Sequence, residues 1–528
     1  MVLSVYKILV ADAIKPEGLT PLLQATGIEL IQETVEEAAD RLHEIDAILV
    51  RSATKVTEEL MNKMPNLKII ARAGVGVDNV EIPAATKRGI VVVNAPDGNT
   101  ISTAEHTFAM MASLMRHIPQ AHASLKNGEW KRNSFTGTEL NGKTLGIVGM
   151  GRIGAELTKR AKAFGMTVIA FDPFLTAERA KQLNIAAMPL DELIPQADII
   201  TVHTPLTKET KGLLNKERLS KTKKGVYLLN CARGGIIDED ALYESILEGH
   251  VAGAALDVFV EEPAVNNKLL ELDSVIVTPH LGASTKEAQL NVATQVAQEV
   301  LTFLNGNPVS NSINLPAISK EVFEKIQPFY SLAKQLGSIT SQCLQEGVRE
   351  ISVTYAGSVL DFDTSILSKS ILSGFFQSRV DVAVNEVNAM LVAKERGITV
   401  GEKISQNALG YNNLISVTIK GDNRQLDVKG TYIDQYGPRI VSLNEFSIDF
   451  VPAGNLLYIQ HSDKPGVIGR VGKILGDNNI NIATMQVGRK EAGGEAIMVL
   501  SFDKPLCDDM YNKMLELEDI CQLHRISL

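Results

Sequence analysis

The stretch from Thr144 to Asp172, TLGIVGMGRIGAELTKRAKAFGMTVIAFD, leaves this chain few folds to choose from. An apolar run from Leu145 to Val148 predicts a strand, and it meets Gly149-Met150-Gly151-Arg152-Ile153-Gly154. A helical pattern follows, then a second apolar run from Thr167 to Phe171 that ends on Asp172. In a βαβ unit of this kind Gly149 allows the tight turn, Gly151 lets backbone come close to a pyrophosphate, and Gly154 lets helix and strand pack closely. The helix N-terminus adds unpaired N–H groups and a partial positive charge. A glycine-rich turn alone says little, but here it lies between strand and helix, with an acid about 20 residues on. Asp172 can accept hydrogen bonds from a ribose diol and would repel a 2′-phosphate, so the expected cofactor is NAD.

With 528 residues the chain should hold about three or four domains. Its net charge of −10 argues against nucleic acid or an anionic membrane as the main partner, and an anionic substrate would need local arginines. Cys231, Cys343, Cys507 and Cys521 are scattered, so neither a disulfide framework nor a metal site is expected. A strand begins almost at once, at Val5 to Val10, with no signal-peptide pattern, and no apolar run approaches the roughly 18 residues of a membrane helix. The expected compartment is the cytoplasm.

Up to about residue 97, short apolar runs (YKILVAD, DAILV, LKIIAR, GIVVVN) alternate with helical patterns, which predicts a parallel sheet covered by helices. Polar groups cluster after the strands, at Arg51-Ser52-Ala53-Thr54 and at Arg72-Ala73-Gly74-Val75-Gly76-Val77-Asp78. Such strand ends are where parallel sheets bind ligands. A lone arginine there is an ordinary surface residue, whereas two with a glycine loop point to an anion. From Asn99 a helical pattern (Thr100 to His117) leads to Trp130-Lys131-Arg132 and the dinucleotide unit. The alternation resumes with ADIITVHTP, GVYLLNCARGG, VAGAALDVF and SVIVTPH, and a helix from Thr285 to Asn305 is read as returning to the first domain. The expected division is residues 1–98 with 287–316 for substrate, 99–286 for NAD, 317–452 for an α+β module, and 453–528 for the rest. In the third part helices are expected over Lys325 to Gln345 and Ser365 to Ser373, with strands at EISVTYAG, LISVTIKG, QLDVKGTYI and RIVSLNEFSIDF. In the last, strands at Leu456 to His461, Ile480 to Val487 and Ala496 to Phe502 belong to a βαββαβ unit of ferredoxin-like order. The fold class is thus α/β, two Rossmann-like doubly wound domains followed by α+β and βαββαβ modules.

Arg233, Glu262 and His280 each lie just after one of three successive strands. Oxidation of a hydroxy acid needs these groups. A histidine takes the hydroxyl proton, a carboxylate orients it and favours the imidazolium, and an arginine clamps the substrate carboxylate in a planar fork. Singly, the histidine could be structural, the glutamate a turn acid, and the arginine a partner of Asp238. Their coincidence downstream of a dinucleotide unit favours chemistry.

GMGRIG, NCARGG, DVFVEEP and TPHLGAST together resemble the D-2-hydroxyacid dehydrogenase family. With the last two modules, the chain is similar to a long form that carries an intervening domain and an ACT regulatory domain. The resemblance implies a homo-oligomer, read as a tetramer, that oxidises 3-phosphoglycerate with NAD. It implies substrate-carboxylate, partner and base roles for Arg233, Glu262 and His280. Cofactor contacts are implied at Arg152, Ile153, Asp172, Thr204, Cys231, Ala232, Asp257, Gly282 and Ala283. Substrate contacts are implied at Arg51, Ser52, Arg72, Gly74, Val75, Asn99 and Arg132, the last from its own or a neighbouring subunit. Where relatives carry threonine, Val75 keeps the backbone N–H but lacks the hydroxyl. In the ACT unit the turn at His461 and Asp463, with Asn481 on the following strand, is implied to take L-serine as effector. A nicotinamide-sensing corepressor, or an enzyme for glyoxylate or another hydroxy acid, would share the same core.

Overall fold

The computed structural model describes residues 5–316, 318 and 320–528, so the expected boundaries at residues 1 and 317 lie outside the described residues. The first sheet holds β1 (Tyr6–Val10), β2 (Ile28–Ile31), β3 (Ala47–Val50), β4 (Ile69–Arg72) and β5 (Val91–Asn94), all parallel, in the order 2-1-3-4-5. Every residue of β3 and β5 is buried, as it must be in strands covered on both faces. The helix Lys286–Leu304 covers one face, setting Val292, Val296, Ala297 and Val300 among Ile8, Val10, Leu49 and Val91.

The second sheet holds β6 (Thr144–Val148), β7 (Thr167–Phe171), β8 (Ala186–Ala187), β9 (Ile199–Val202), β10 (Val226–Asn230), β11 (Val251–Leu256) and β12 (Val275–Val277). It is parallel throughout, in the order 12-11-10-9-6-7-8. The winding reverses between β6 and β9, and the crevice beyond their carboxyl ends is where such sheets take ligands. The long helix before this sheet is shorter than expected. It runs Thr100–Met115, because His117 adopts a left-handed φ of 51° and a second helix, Ile118–Lys126, starts afresh.

A mixed sheet follows, with β13 (Val348–Gly357), β14 (Thr399–Ser405), β15 (Asn413–Gly421), β16 (Gln425–Ile433), β17 (Gly437–Leu443) and β18 (Phe446–Phe450) in the order 14-13-15-16-17-18. The helices Lys320–Cys343 and Ser365–Phe376 pack into its core. The run RIVSLNEFSIDF, expected as one strand, is the hairpin β17–β18, turned by Asn444 and Glu445 at φ of 48° and 68°. The last sheet, β19 (Asn455–Ser462), β20 (Ile482–Arg489), β21 (Glu495–Phe502) and β22 (Ile520–Ser527), is antiparallel in the order 20-21-19-22. Side chains alternate across a strand. Leu457, Ile459, Met498 and Leu500 therefore meet the helices Val467–Asp477 and Asp508–Leu515, while Leu456, Tyr458, Ile497 and Val499 join the core of the mixed sheet. No helix among the described residues is long and apolar enough to cross a membrane.

Candidate active site

The glycine turn after β6 reaches across the reversal point. Gly149 has φ of 100°, and a Cβ there would lie 2.6 Å from the His203 carbonyl oxygen beyond β9, so only glycine fits. Gly151 caps the helix Arg152–Ala163 with open space around it, and Gly154 packs against the Gly149 carbonyl. Asp172 sits on the turn itself, its Oδ2 accepting from the Met150 N–H (2.8 Å) and its Oδ1 from the Phe174 N–H (2.8 Å). Arg152 is exposed at the helix start and pairs with Asp97 (2.5 Å), while Ile153 is half-buried. Among the described residues, neither the buried hydroxyl of Thr204, beside Gly149, nor the side-chain carbonyl of Asn99, at the start of the Thr100 helix, has a hydrogen-bond partner. An open helix N-terminus, a glycine cradle and an unsatisfied buried hydroxyl fit a dinucleotide at this place.

Two implied cofactor residues turn inward. Cys231 is buried against Met110 at 3.8 Å, and burial pushes its thiol up to about 12, so the thiol belongs to the protein interior. Asp257, 1% exposed, holds the loop after β12. Its Oδ1 accepts from the Thr278 hydroxyl (2.6 Å) and the Leu281 N–H (2.7 Å), its Oδ2 from the Gly282 N–H (2.8 Å). Burial raises its carboxyl, but His106, Thr278 and the two amides more than offset this and hold it below the usual range. The ionised carboxylate therefore favours the folded state at neutral pH, a contribution lost as pH falls through the lowered pKa. Ala232 donates its N–H to the Asn230 side chain (3.0 Å), and Ala283 is half-buried.

The loops after β10, β11 and β12 converge. His280 Nδ1 lies 2.8 Å from Glu262 Oε2, and Glu262 Oε1 accepts from the Phe259 N–H at 3.1 Å. Since a carboxylate can only accept, Nδ1 carries the hydrogen and Nε2 presents its lone pair. The Arg233 turn packs on this loop, for a Cβ on Gly234 would lie 2.0 Å from the Phe259 carbonyl carbon. The Asn230 side chain holds the same turn by donating to the Arg233 carbonyl (2.8 Å). Asp238 is not the partner of Arg233; it caps the helix Glu239–Leu247 by accepting from the Ala241 N–H (3.0 Å).

The partner is Asp78, on the first sheet's glycine loop, whose Oδ2 accepts from Arg233 Nε at 3.0 Å. A Cβ at Gly76 would lie 1.9 Å from Arg233 Nη2, so a larger residue there would push the guanidinium aside where the two halves meet. Arg72 lies in the same place. Burial, opposed only in part by Asp78, lowers its guanidinium to about 10, and the nearby charges of Arg233 and Arg51 add to the drop. Its Nε has no hydrogen-bond partner among the described residues. Asp12, after β1, accepts from the Arg51 N–H (2.5 Å) and the Thr54 hydroxyl (2.6 Å), fixing the Arg51 loop. Ser52 is exposed, Gly74 lies against Arg72, and the Val75 carbonyl accepts from the Asn94 side chain (2.5 Å). Arg132, in the turn Arg132–Phe135, is exposed and forms no ion pair with crevice residues among those described.

In the last module the implied effector residues are less free than the sequence suggests. Asp463 Oδ2 accepts from the Gly493 N–H (3.1 Å) and faces Arg489 (3.3 Å). His461 is buried, with Nδ1 2.8 Å from the Ser462 carbonyl and Nε2 without a hydrogen-bond partner among the described residues. Asn481 precedes β20 rather than lying on it, and donates to Asp503 (3.2 Å).

Models of three families match in succession: the NAD-binding domain of D-isomer specific 2-hydroxyacid dehydrogenases over residues 108–282, the D-3-phosphoglycerate dehydrogenase intervening domain over 325–444, and the ACT domain over 456–514. A solved structure of D-lactate dehydrogenase from Aquifex aeolicus, complexed with NAD and lactic acid, has a TM-score of 0.54 and 31% identity, covering 59% of this chain and 100% of that one. Fold, crevice and these matches define an NAD-dependent dehydrogenase of 2-hydroxy acids. D-3-phosphoglycerate dehydrogenase of Bacillus subtilis is 60% identical over 99% of this chain and 100% of its own, and that of Archaeoglobus fulgidus 44% identical over 99% and 100%. The chain belongs to the D-3-phosphoglycerate dehydrogenase family.

Proposed function

We propose that the chain oxidises 3-phosphoglycerate to 3-phosphohydroxypyruvate, the first step of L-serine biosynthesis, in the cytoplasm and as a homo-oligomer. The observation that carries this is the meeting of His280–Glu262 with three arginines, Arg51, Arg72 and Arg233, at one crevice. Bound at the glycine turn after β6, NAD would supply the acceptor for the hydride from C2. His280 Nε2 takes the hydroxyl proton, and Glu262 stabilises the imidazolium that results. Arg233 grips the substrate carboxylate with the guanidinium edge not held by Asp78 and the Ala232 carbonyl, and Arg51 with Arg72 receives the phosphate.

Steady-state assay of 3-phosphoglycerate against D-glycerate tests the reading. One or two charge-assisted hydrogen bonds to phosphate, each about 1.5–3 kcal/mol, predict a preference on the order of 100-fold in kcat/KM. Arg51→Ala should remove most of it. Equal rates on both acids would overturn the phosphorylated substrate while leaving the dehydrogenase class untouched. We further propose L-serine as effector at the Asp463 turn, where the ammonium would displace Arg489 from the carboxylate. Coupling of about 1–3 kcal/mol is the usual scale of such regulation. Calorimetry and inhibition assays that show neither binding nor inhibition at millimolar serine would remove this part of the proposal.

For the cofactor, Asp172→Ser should narrow the NAD/NADP ratio of kcat/KM by about tenfold or more, since a single charge-assisted contact is worth that much. The same change removes the acceptor of the Met150 N–H, so NAD affinity should fall as well. An unchanged ratio would mean that Asp172 acts only on the turn.

A further inference from the structure

We propose that His106 is a positioning residue that fixes the loop carrying His280, acting through Asp257. The inference rests on the reading of His280 as the base. His280 has φ of 55°, a left-handed conformation that costs an ordinary residue about 1–2 kcal/mol and persists only where its surroundings over-determine it. Its own N–H donates to the carbonyls of Asp257 (2.9 Å) and Thr278 (3.0 Å). The next two amides, of Leu281 and Gly282, donate to the Asp257 carboxylate. That single buried carboxylate therefore sets the path of the chain on the carboxyl side of the base, and whatever fixes Asp257 fixes the direction of His280 Nε2.

His106 is what fixes it from the other side. Its Nε2 lies 3.1 Å from Thr278 Oγ1 and 3.2 Å from Asp257 Oδ1. The Thr278 hydroxyl has one hydrogen. Two acceptors compete for it, Asp257 Oδ1 at 2.6 Å and the Met110 thioether at 3.4 Å, and the carboxylate is far the stronger. With that hydrogen given to Asp257, the contact between Thr278 and His106 is a hydrogen bond only if His106 donates. Nε2 thus carries a hydrogen shared between the hydroxyl oxygen and the carboxylate. Thr103, His106 and Met110 recur on one face of the helix Thr100–Met115, and Thr103 adds a bond to the Gly282 carbonyl at 3.2 Å. This helix face, far from the catalytic loop in sequence, is its mould.

The test compares His106→Leu with His106→Gln in the full-length enzyme, reading kcat under conditions where hydride transfer limits and amide hydrogen exchange in the peptide that spans residues 278–283. The leucine has no donor; the glutamine offers an amide N–H at similar reach. The leucine variant should lose about 10- to 100-fold in kcat, because small misplacements of a reacting group cost on that order, with little change in KM. Exchange in the loop should accelerate by about tenfold, and the glutamine variant should stay within about threefold of wild type in both readings. Equal loss in both variants would show that bulk rather than the hydrogen bond matters, and unaltered exchange in the leucine variant would show that His106 does not hold the loop; either overturns the proposal. Should the leucine variant fold poorly, Thr278→Val removes the shared hydroxyl and must give the same faster exchange. The exchange reading stands apart from the chemistry, so a failure of His280 as base would appear in His280→Ala without altering it.

Discussion

His280→Ala is expected to lower kcat by 10²- to 10⁴-fold, the usual worth of a positioned general base. NAD affinity should hardly move, because the side chain bonds to Glu262, whereas the glycine cradle belongs to the turn after β6. The loop itself should keep its course. Its backbone is held by Asp257 through the Leu281 and Gly282 amides, not by the imidazole, so the loss reads as missing chemistry rather than a collapsed site. Alanine should in fact relieve little strain at this φ, since only glycine adopts it freely. Glu262→Gln should show a smaller deficit with the pH profile displaced, because the amide still holds the ring but no longer favours its charged form. The measurement is kcat against pH with a deuterated substrate to establish that hydride transfer limits. Less than a tenfold loss for His280→Ala under those conditions would remove His280 from the base role.

Arg233→Lys should cost about 1.5–3 kcal/mol of transition-state stabilisation, or roughly 10- to 100-fold in kcat/KM, with KM for the hydroxy acid rising and kcat falling. Charge is retained, so a purely electrostatic role would survive the change. The geometry says otherwise. Arg233 divides its donors, Nε to Asp78 (3.0 Å) and Nη1 to the Ala232 carbonyl (2.7 Å), so the remaining edge is presented at a fixed angle. An ammonium has no such plane, and once it satisfies Asp78 it cannot also offer a paired grip on a carboxylate. Wild-type kinetics in the lysine variant would show that Arg233 supplies only charge.

How far the sequence led follows from where the information lay. The dinucleotide unit was legible because its strand, glycine turn, helix and terminal acid are consecutive and each has its own periodicity. His280, Glu262 and Arg233 were legible because successive strands of a parallel sheet end on one side, so position after a strand already implies convergence. Asp78 was not, since its partner is 155 residues away and no spacing rule joins a loop of one sheet to a turn of another. His106 lies inside a helical pattern and 172 residues from its partner Thr278, so no spacing singled it out. Asp257 and Cys231 were expected as cofactor contacts only through the family resemblance, and burial turns the side chains of both toward the protein. β14 was missed for a different reason: it is an edge strand, largely exposed, and its sequence TVGEKIS lacks the alternation that marks a half-buried one.

Along β19 and β21 the last sheet buries both its faces, one under its own helices and the other in the core of the mixed sheet. Leu456, Tyr458, Ile497, Val499 and Ile526 therefore belong to two modules at once. Cutting the chain ahead of β19 would bare the surfaces these side chains cover, at about 1.5–3 kcal/mol each. Taken together that loss is comparable to the whole margin of about 5–15 kcal/mol by which a typical domain stays folded. The final two modules should therefore unfold as a single cooperative unit, because these five side chains of the last sheet are part of the core of the module before it.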